Sequence, residues 1–362
     1  MKKEKLRSLR KLLYGGVVIP AHPLALDSNR KIDERRQRAL TRYYLDSGAG
    51  GIAIGVHTTQ FAIREHGMFK PLLKITMEEI LEFEKREKKE IVKIAGALGP
   101  TKEACREAEI AAGLGYDAVL LKLGGFELKT EDEILSHCKE VAGIIPLFGF
   151  YLQPALGGIY LSHHFWRRFI EEIDNLLAIK IATFNRYYSI DVVRALSLSG
   201  RNGEVSLYTG NDDNIILDLI TPHRFSVNGK EETITIRGGL LGQWAVWTSK
   251  AVEILEEIKK RRPEWEASDE PSQCIPASYI SLNSKLTDAD GAIFDASHNF
   301  RGTIPGVLEV LRRQGFLEGI WCLDPKETLS PGQAEEITRV IEAYPELTDD
   351  EFVKANLNKW LS

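Results

Sequence analysis

Short apolar runs alternate with longer amphipathic segments along roughly the first 260 residues of the chain. Runs of this kind, bounded by polar residues, are typical of strands that are buried on both faces of a parallel sheet. The predicted strands cover residues 16–20, 51–55, 91–98, 118–121, 146–151, 176–181, 205–210 and 238–242. The segments between them have apolar positions at helical spacing, most clearly over residues 31–47, 76–90, 101–113, 130–141, 162–174 and 188–199. Eight strand–helix units over about 250 residues predict an α/β fold, a closed (β/α)8 TIM barrel.

Two segments do not follow this alternation. Residues 222–236 contain Asn228-Gly229 between two alternating stretches, which predicts a β-hairpin inserted in the barrel. From residue 263 the chain contains Pro263, Pro271 and Pro276, and amphipathic segments follow near 303–315, 331–343 and 349–361. We therefore predict a barrel with its insertion over residues 1–262, and a linker with a C-terminal helical extension over residues 263–362.

Two helix starts carry local signals. Thr101 has the residue type of an N-cap, and Glu103 would lie in the first turn of that helix. Thr130 and Glu133 have the spacing of a capping box, in which each side chain bonds to the other residue's backbone N–H.

Composition narrows the range of partners. The 362 residues carry 47 basic and 52 acidic side chains, a net charge of −5, which gives no reason to expect nucleic acid or an anionic membrane as partner. The basic N-terminus mixes charges into its leucines, and no run of about 18 apolar residues is present, so neither a signal peptide nor a membrane span is expected. The four widely spaced cysteines suit a reducing compartment. We expect a soluble, cytoplasmic protein without a cofactor.

Candidate chemistry lies where the predicted strands end, because active sites of such barrels are built at the C-terminal ends of the strands. The residues in question are His57, Thr58 and Thr59 after the second strand, Tyr151 at the end of the fifth, Lys180 in the sixth, and Gly210 and Asp212 after the seventh. A lysine in an apolar strand loses solvation, which lowers its pKa and makes the amine able to form a Schiff base. The hydroxyls and the imidazole could hold a carboxylate, and the phenol could relay protons.

Each of these residues also has an ordinary structural interpretation. The Lys180 stem could pack while its amine reaches solvent. Thr58 and Thr59 could cap a helix, and Asp212 could lie in a first helical turn. Tyr151 could be a barrel-end aromatic residue with its hydroxyl in water. The functional interpretation rests on all of them lying at strand ends of one predicted barrel.

In their order along the chain these segments resemble the dihydrodipicolinate synthase/N-acetylneuraminate lyase family of class I aldolases. The matching pieces are His57-Thr58-Thr59-Gln60, Tyr151-Leu152-Gln153-Pro154, Ala178-Ile179-Lys180 and Thr209-Gly210-Asn211-Asp212-Asp213. The resemblance implies an imine between Lys180 and the keto carbon of a 2-oxo acid, with Tyr151 as proton relay. It also implies substrate binding by His57, Thr58, Thr59, Gly210 and Asp212, no cofactor, and a homo-oligomer, either a dimer or a tetramer.

Three departures from the family pattern bear on the substrate. The His-Thr-Thr-Gln segment leaves the register of the carboxylate loop open by one residue. Leu156 stands where the resembling synthases carry an arginine for the second substrate's carboxylate, and a leucine cannot make that bidentate contact. Residues 123–126 lack the tyrosine of those synthases. These differences argue against dihydrodipicolinate synthase activity and favour aldol cleavage, condensation or dehydration of a sugar-acid-like 2-oxo acid.

Two other functions remain open from the sequence. A metal-dependent class II aldolase or hydrolase could use some of six histidines: His57, His66, His163, His164, His223 and His298. They show no His-x-His or His-Glu-x-x-His spacing, and His163-His164 opens a predicted helix, so no metal site is predicted. A non-catalytic protein that binds an oxo acid is the third possibility, since the altered loop at residues 57–60 permits it.

Overall fold

The computed structural model describes residues 3–267 and 274–362, which form ten strands and thirteen α-helices. The strands are β1 (Val18–Pro20), β2 (Gly51–Ile54), β3 (Val92–Ala97), β4 (Ala118–Lys122), β5 (Leu147–Leu152), β6 (Leu176–Ala182), β7 (Ser206–Thr209), β8 (His223–Val227), β9 (Lys230–Ile234) and β10 (Ile236–Leu241). The helices are α1 (Lys3–Tyr14), α2 (Glu34–Asp46), α3 (Phe69–Glu87), α4 (Thr101–Leu114), α5 (Glu131–Ala142), α6 (His163–Glu172), α7 (Arg186–Ser199), α8 (Ile215–Ile220), α9 (Thr248–Ala267), α10 (Ala277–Ile293), α11 (Thr303–Arg313), α12 (Gln333–Ala343) and α13 (Asp350–Trp360).

Eight of the strands form one sheet in the order β1-β10-β7-β6-β5-β4-β3-β2, and the pairs from β3 to β7 and from β7 to β10 are parallel. With helices between consecutive strands, this is the (β/α)8 TIM barrel that the alternating pattern predicts. β5 and β6 are buried along their whole lengths, as expected for strands covered on both faces.

The predicted hairpin is confirmed. β8 and β9 pair antiparallel from His223↔Ile234 to Val227↔Lys230 and form a separate two-stranded sheet. Asn228 and Gly229 occupy the turn with φ of 51° and 76°. Positive φ at both central residues is what a type I′ hairpin turn requires, and Asn-Gly adopts it at low cost.

The two predicted helix starts had different outcomes. The Thr130–Glu133 capping box is confirmed: the Thr130 N–H donates to the Glu133 carboxylate at 2.8 Å, and the Glu133 N–H donates to Thr130 Oγ1 at 3.3 Å. The N-cap assignment of Thr101 is wrong, because Pro100 occupies that position and Thr101 is the first helical residue. Its hydroxyl lies 2.9 Å from Nδ1 of His137 instead, within hydrogen-bonding distance.

The C-terminal part of the chain is helical as predicted, with α11, α12 and α13 close to the expected segments. α10 was not predicted, and α9 continues through Pro263 across the expected boundary between residues 262 and 263. Pro271, part of the expected linker, lies outside the described residues. The division at that boundary stays a prediction.

The chain divides into two compact units. The first comprises residues 1–17, 94–240 and 255–281, and the second comprises residues 18–93, 241–254 and 282–362. In the second unit, Asp349 accepts hydrogen bonds from the Tyr43 hydroxyl at 2.7 Å, the Ser249 N–H at 3.1 Å and the Gln314 amide at 2.9 Å. This buried carboxylate therefore fastens α2 to the start of α9 and to the residue that follows α11. No helix in the described part of the chain is long and apolar enough to cross a membrane.

Candidate active site

Lys180 is a buried amine in the middle of a sheet. It is the fifth residue of β6, it pairs with β5 on one side and β7 on the other, and only 8 % of its surface is exposed. Burial lowers the pKa of the Lys180 amine to about 8, and the negative charge of Asp212 partly opposes that shift.

The neighbours of Lys180 follow from the strand register. Phe150 of β5 and Tyr208 of β7 pair with Lys180, and register partners in a parallel sheet project to the same face. The Lys180 amine lies 4.7 Å from the centroid of the Phe150 ring, where the ring's negative face attracts a cation. The Tyr208 ring in turn meets the ring of Phe148, two residues before Phe150, edge to face at 5.5 Å. Lys180 therefore shares its face of the sheet with aromatic residues of the two neighbouring strands.

Gly210 makes room for the lysine side chain. A Cβ at this position would lie 2.4 Å from Cε of Lys180 and 2.8 Å from Cβ of Ala182. Its N–H donates to the carbonyl of Ile181 at 2.6 Å, which extends the pairing of β7 with β6 beyond the strand end. The structure thus places Gly210, one of the predicted substrate-binding residues, directly against Lys180.

A hydrogen-bonded carboxylate organises the end of β7. Asp218 of α8 accepts from Thr209 Oγ1 at 2.6 Å, from the Asn211 amide at 2.9 Å, and from Arg186. The Asn211 side-chain oxygen accepts from the N–H of Phe184, a residue held at φ of 51° just after β6. This network fixes the loops that follow β6 and β7, and so it fixes the short 3₁₀ turn that begins with Asp212. Asn211 and Asp218 were not among the predicted site residues; the signal for Asp218 is a carboxylate within an otherwise apolar helix.

Tyr151 projects away from Lys180. It pairs with Ile181, one residue beyond the Phe150–Lys180 pair, so its side chain leaves the opposite face of the sheet. Its ring packs against Trp166 of α6 at 4.9 Å, and burial raises the pKa of its phenol. The hydroxyl donates to the Leu161 carbonyl at 3.1 Å and accepts from the Leu161 N–H at 3.3 Å. The structure does not bring the predicted relay residue to the amine, and Phe150 lies there instead.

The loop after β2 is described within the second unit. The Thr58 hydroxyl donates to the Ala21 carbonyl at 2.7 Å, and the Thr59 hydroxyl donates to the His22 carbonyl at 2.7 Å. Thr59 Oγ1 also accepts from the Gly55 N–H at 2.9 Å. Both hydroxyl hydrogens are therefore used to hold the loop. His57 is half-buried, with its ring 5.8 Å from that of Phe61.

Comparison with known families identifies the relatives of this fold. Residues 15–222, more than half of the chain, match the model of the Dihydrodipicolinate synthetase family. The chain belongs to that family. The family comprises aldolase-type lyases, and the matched residues include Lys180, Gly210 and Asp212.

Similar proteins of known name include 4-hydroxy-tetrahydrodipicolinate synthases. That of Nitratidesulfovibrio vulgaris (strain DSM 19637 / Miyazaki F) is 26% identical over 194 residues, which cover 53% of this chain and 62% of the relative. That of Geotalea uraniireducens is 25% identical over 203 residues, which cover 56% of this chain and 64% of the relative. The chain thus spans less than two thirds of the length of these curated relatives.

Solved structures of the family share the fold across nearly the whole chain. A dihydrodipicolinate synthase from Acinetobacter baumannii, chloride-inhibited and complexed with pyruvate, has a TM-score of 0.69 at 19% identity and covers 91% of this chain and 98% of its own. CdNal from Clostridium difficile in complex with mannosamine has a TM-score of 0.70 at 16% identity and covers 91% and 99%. At these identities the likeness shows the fold alone. Among the described residues, no three His, Cys, Asp or Glu side chains are grouped as metal ligands would be.

Proposed function

We propose that the protein is a lyase that forms a Schiff base between Lys180 and the keto carbon of a 2-oxo acid. The reaction then makes or breaks a carbon–carbon bond, or eliminates water, next to that carbon. The observation that carries the proposal is the Lys180 amine itself, which is buried between β5 and β7 with a pKa of about 8.

The lowered pKa supplies the nucleophile. Only the neutral amine can attack a carbonyl, and a lysine of ordinary pKa is almost wholly protonated at neutral pH. With a pKa of about 8, about a tenth of the Lys180 amine is neutral at pH 7. Burial, rather than a neighbouring base, thus increases the reactive species by roughly two orders of magnitude.

The chemistry of the imine follows from this amine. Nitrogen attacks the keto carbon and one of its protons passes to the carbonyl oxygen. A second proton, taken from solvent, lets that oxygen leave as water and gives the protonated carbon–nitrogen double bond. The protonated imine withdraws electrons from the adjacent carbon, so a bond to that carbon can break and leave its electron pair as an enamine. Protonation of the enamine carbon and hydrolysis of the imine return the free lysine.

The surroundings of Lys180 suit this cycle. The Phe150 ring stabilises the positive charge of the iminium relative to the neutral carbinolamine from which it forms. The negative charge of Asp212 also stabilises the iminium. Gly210 leaves the volume in which the Lys180 side chain lies, which a side chain at position 210 would otherwise fill. The solved structure of the Acinetobacter baumannii enzyme is complexed with pyruvate and that of the Clostridium difficile protein with mannosamine. By analogy with these ligands, we propose a 2-oxo acid of the sugar-acid type as substrate.

The other predicted site residues enter the proposal with different support. His57 remains a proposed contact for the substrate carboxylate. Thr58 and Thr59 could join it only if a hydroxyl left the backbone carbonyl that it now contacts. A relay role for Tyr151 would likewise require its phenol to leave Leu161 and the far face of the sheet. Dihydrodipicolinate synthase activity itself is not proposed, because Leu156 and residues 123–126 lack the side chains expected for it.

Trapping with borohydride tests the proposal directly. Incubation with pyruvate and sodium borohydride should reduce the imine and add the corresponding mass irreversibly to the peptide that contains Lys180, as read by mass spectrometry. Omitting pyruvate should leave that peptide unmodified. If no 2-oxo acid in a panel that includes sugar acids labels Lys180, the mechanism is wrong. Labelling without turnover of any member of the panel would favour the non-catalytic, oxo-acid-binding alternative.

A further inference from the structure

A second lysine lies in the same layer of the sheet as Lys180. Lys122 ends β4 and pairs with Phe150 of β5, which in turn pairs with Lys180 of β6. Because register partners in a parallel sheet project to the same face, both lysine side chains leave the face on which the Phe150 ring lies. Two strand spacings separate their backbones, a distance of roughly 10 Å. A molecule bound to the Lys180 amine would therefore approach Lys122 if it extended over Phe150.

The backbone of two loops is shaped around the Lys122 side chain. A Cβ on Gly157 would lie 3.4 Å from the Lys122 amine, and a Cβ on Gly124 would lie 3.0 Å from its Cε. The same Gly124 Cβ would lie 2.0 Å from the carbonyl oxygen of Gly157, so no side chain fits where the two loops meet. The half-buried Lys122 side chain thus lies close to main-chain atoms of the loops after β4 and β5.

Lys122 lies on the strand next to the one whose following turn lacks the cation that the resemblance implies. The resemblance places an arginine for a substrate carboxylate where this chain has Leu156, in the turn after β5. Leu156 is half-buried and its side chain offers no donor. Lys122, one strand away, presents a flexible point charge that can meet either a carboxylate or a phosphate.

We propose that Lys122 binds a second anionic group of the substrate, a carboxylate or a phosphate at the end of the chain remote from the keto carbon. The inference rests on the proposed function, because Lys122 can bind the remote anionic group of the substrate only while Lys180 holds its keto carbon. It narrows the substrate to 2-oxo acids that carry two anionic groups separated by a few carbon atoms.

Matched pairs of 2-oxo acids test this selectivity. The concentration that half-saturates borohydride trapping at Lys180 is measured for 2-oxoglutarate and for 2-oxopentanoate, which have the same chain length and differ in the terminal group. We expect the dicarboxylate to half-saturate at a concentration about tenfold to a hundredfold lower, the range expected for one hydrogen bond to a charged group. A 2-oxo acid that ends in a phosphonate, measured in parallel, distinguishes phosphate from carboxylate as the preferred group.

Variants assign the preference to Lys122. Lys122→Met should remove the difference between the two acids, whereas Lys122→Arg should retain part of it. Lys129→Met is the matched control, because Lys129 lies exposed before α5, paired with Glu133, and its replacement removes the same charge nearby. It should keep the wild-type preference.

The outcomes separate this inference from the proposed function. If no oxo acid labels Lys180, the proposed function fails and takes this inference with it. If pyruvate labels Lys180 but the wild-type protein shows no preference for the dianionic acids, this inference alone is overturned, whatever the folding of the variants. A preference that persists in Lys122→Met, or in Lys122→Gln should the methionine variant not fold, also overturns it.

Discussion

Lys93 and Lys180 are two buried lysines in strands of the same barrel, and their surroundings give them different roles. Lys93 of β3 is 4 % exposed and donates to the Glu84 carboxylate at 2.7 Å and to the Ile91 carbonyl at 3.0 Å. Lys180 of β6 is 8 % exposed and lies against an aromatic ring and a glycine. Burial is therefore common to the two lysines, and the groups that surround each amine differ.

The difference between the two lies in what meets the charge. A carboxylate at ion-pair distance makes Lys93 a structural cation that ties β3 to α3. At Lys180 the desolvation is only weakly compensated, so the neutral amine is favoured and the pKa falls. Changing each amine, or the groups around it, tests whether this contrast holds.

Exchanging each lysine for methionine should separate the two roles. Lys180→Met should abolish borohydride trapping and lower any lyase activity about a thousandfold or more, because the covalent partner is gone. It should leave the free energy of unfolding unchanged or increased, since a buried amine with little compensation is replaced by an apolar side chain of similar length. Trapping by mass spectrometry and urea unfolding measure the two effects.

Lys93→Met is the matched control with the opposite expectation. Glu84 would lose its cation, which should lower the free energy of unfolding by about 1–3 kcal/mol, while trapping at Lys180 persists. If Lys93→Met abolished trapping in a folded protein, or Lys180→Met retained it, the contrast between the two lysines would not hold.

Gly210→Ala should displace the Lys180 side chain and leave its amine in the protein. The new methyl group would lie 2.4 Å from Lys180 Cε, so the side chain must move, and we expect trapping to slow about tenfold to a hundredfold. Gly113→Ala is the control, because a Cβ there meets no atom within 4 Å. Equal trapping rates for both variants would show that Lys180 does not depend on the space that Gly210 leaves.

The pH dependence of trapping should report the pKa of Lys180. The neutral amine reacts, so the rate should rise with pH through a midpoint near 8 and then level off. Asp212→Asn removes a charge that raises this pKa, and it should therefore shift the midpoint to lower pH and increase the rate at pH 7 about two- to fivefold. A shift to higher pH would contradict the assigned direction of the Asp212 effect.

Tyr151→Phe should have the smallest effect on trapping, within about threefold. Its phenol contacts the Leu161 backbone on the face of the sheet that Lys180 does not share, so its loss should be felt as about 1 kcal/mol of stability instead. Trapping rates and urea unfolding are again the measurements. A fall of about a hundredfold or more in turnover, with imine formation intact, would restore the relay role that the family resemblance implies.

The fold could be predicted from the sequence, and the burial of Lys180 in a strand could be predicted with it, because both depend on local patterns. Eight apolar runs, the Asn228-Gly229 turn and the Thr130–Glu133 capping box each follow from residues close together in the chain. α10 was missed because its residues, which include several serines, two aspartates and a glycine, show little helical periodicity. Thr101 was misplaced by one position, which is the usual uncertainty of a helix boundary.

The face on which a strand-end residue projects could not be predicted in the same way. Tyr151 and Phe150 are adjacent, and a shift of one residue in the pairing of β5 with β6 exchanges which of them meets Lys180. That register depends on contacts between separate strands, including an irregularity between Leu147 and Phe148. The position of Lys122 beside Phe150 could not be predicted for the same reason, because it depends on the pairing of β4 with β5.

The close approach of Gly124 to Gly157 limits how this site could change its specificity. Because main chain meets main chain there, with 2.0 Å between a hypothetical Gly124 Cβ and the Gly157 oxygen, a side chain on Gly124 would force the two loops apart rather than add a new contact. Directed evolution of substrate range would then find few accessible steps in these loops. If Lys122 binds the second anion of the substrate as proposed, a single codon change at position 122 would alter which molecules are accepted.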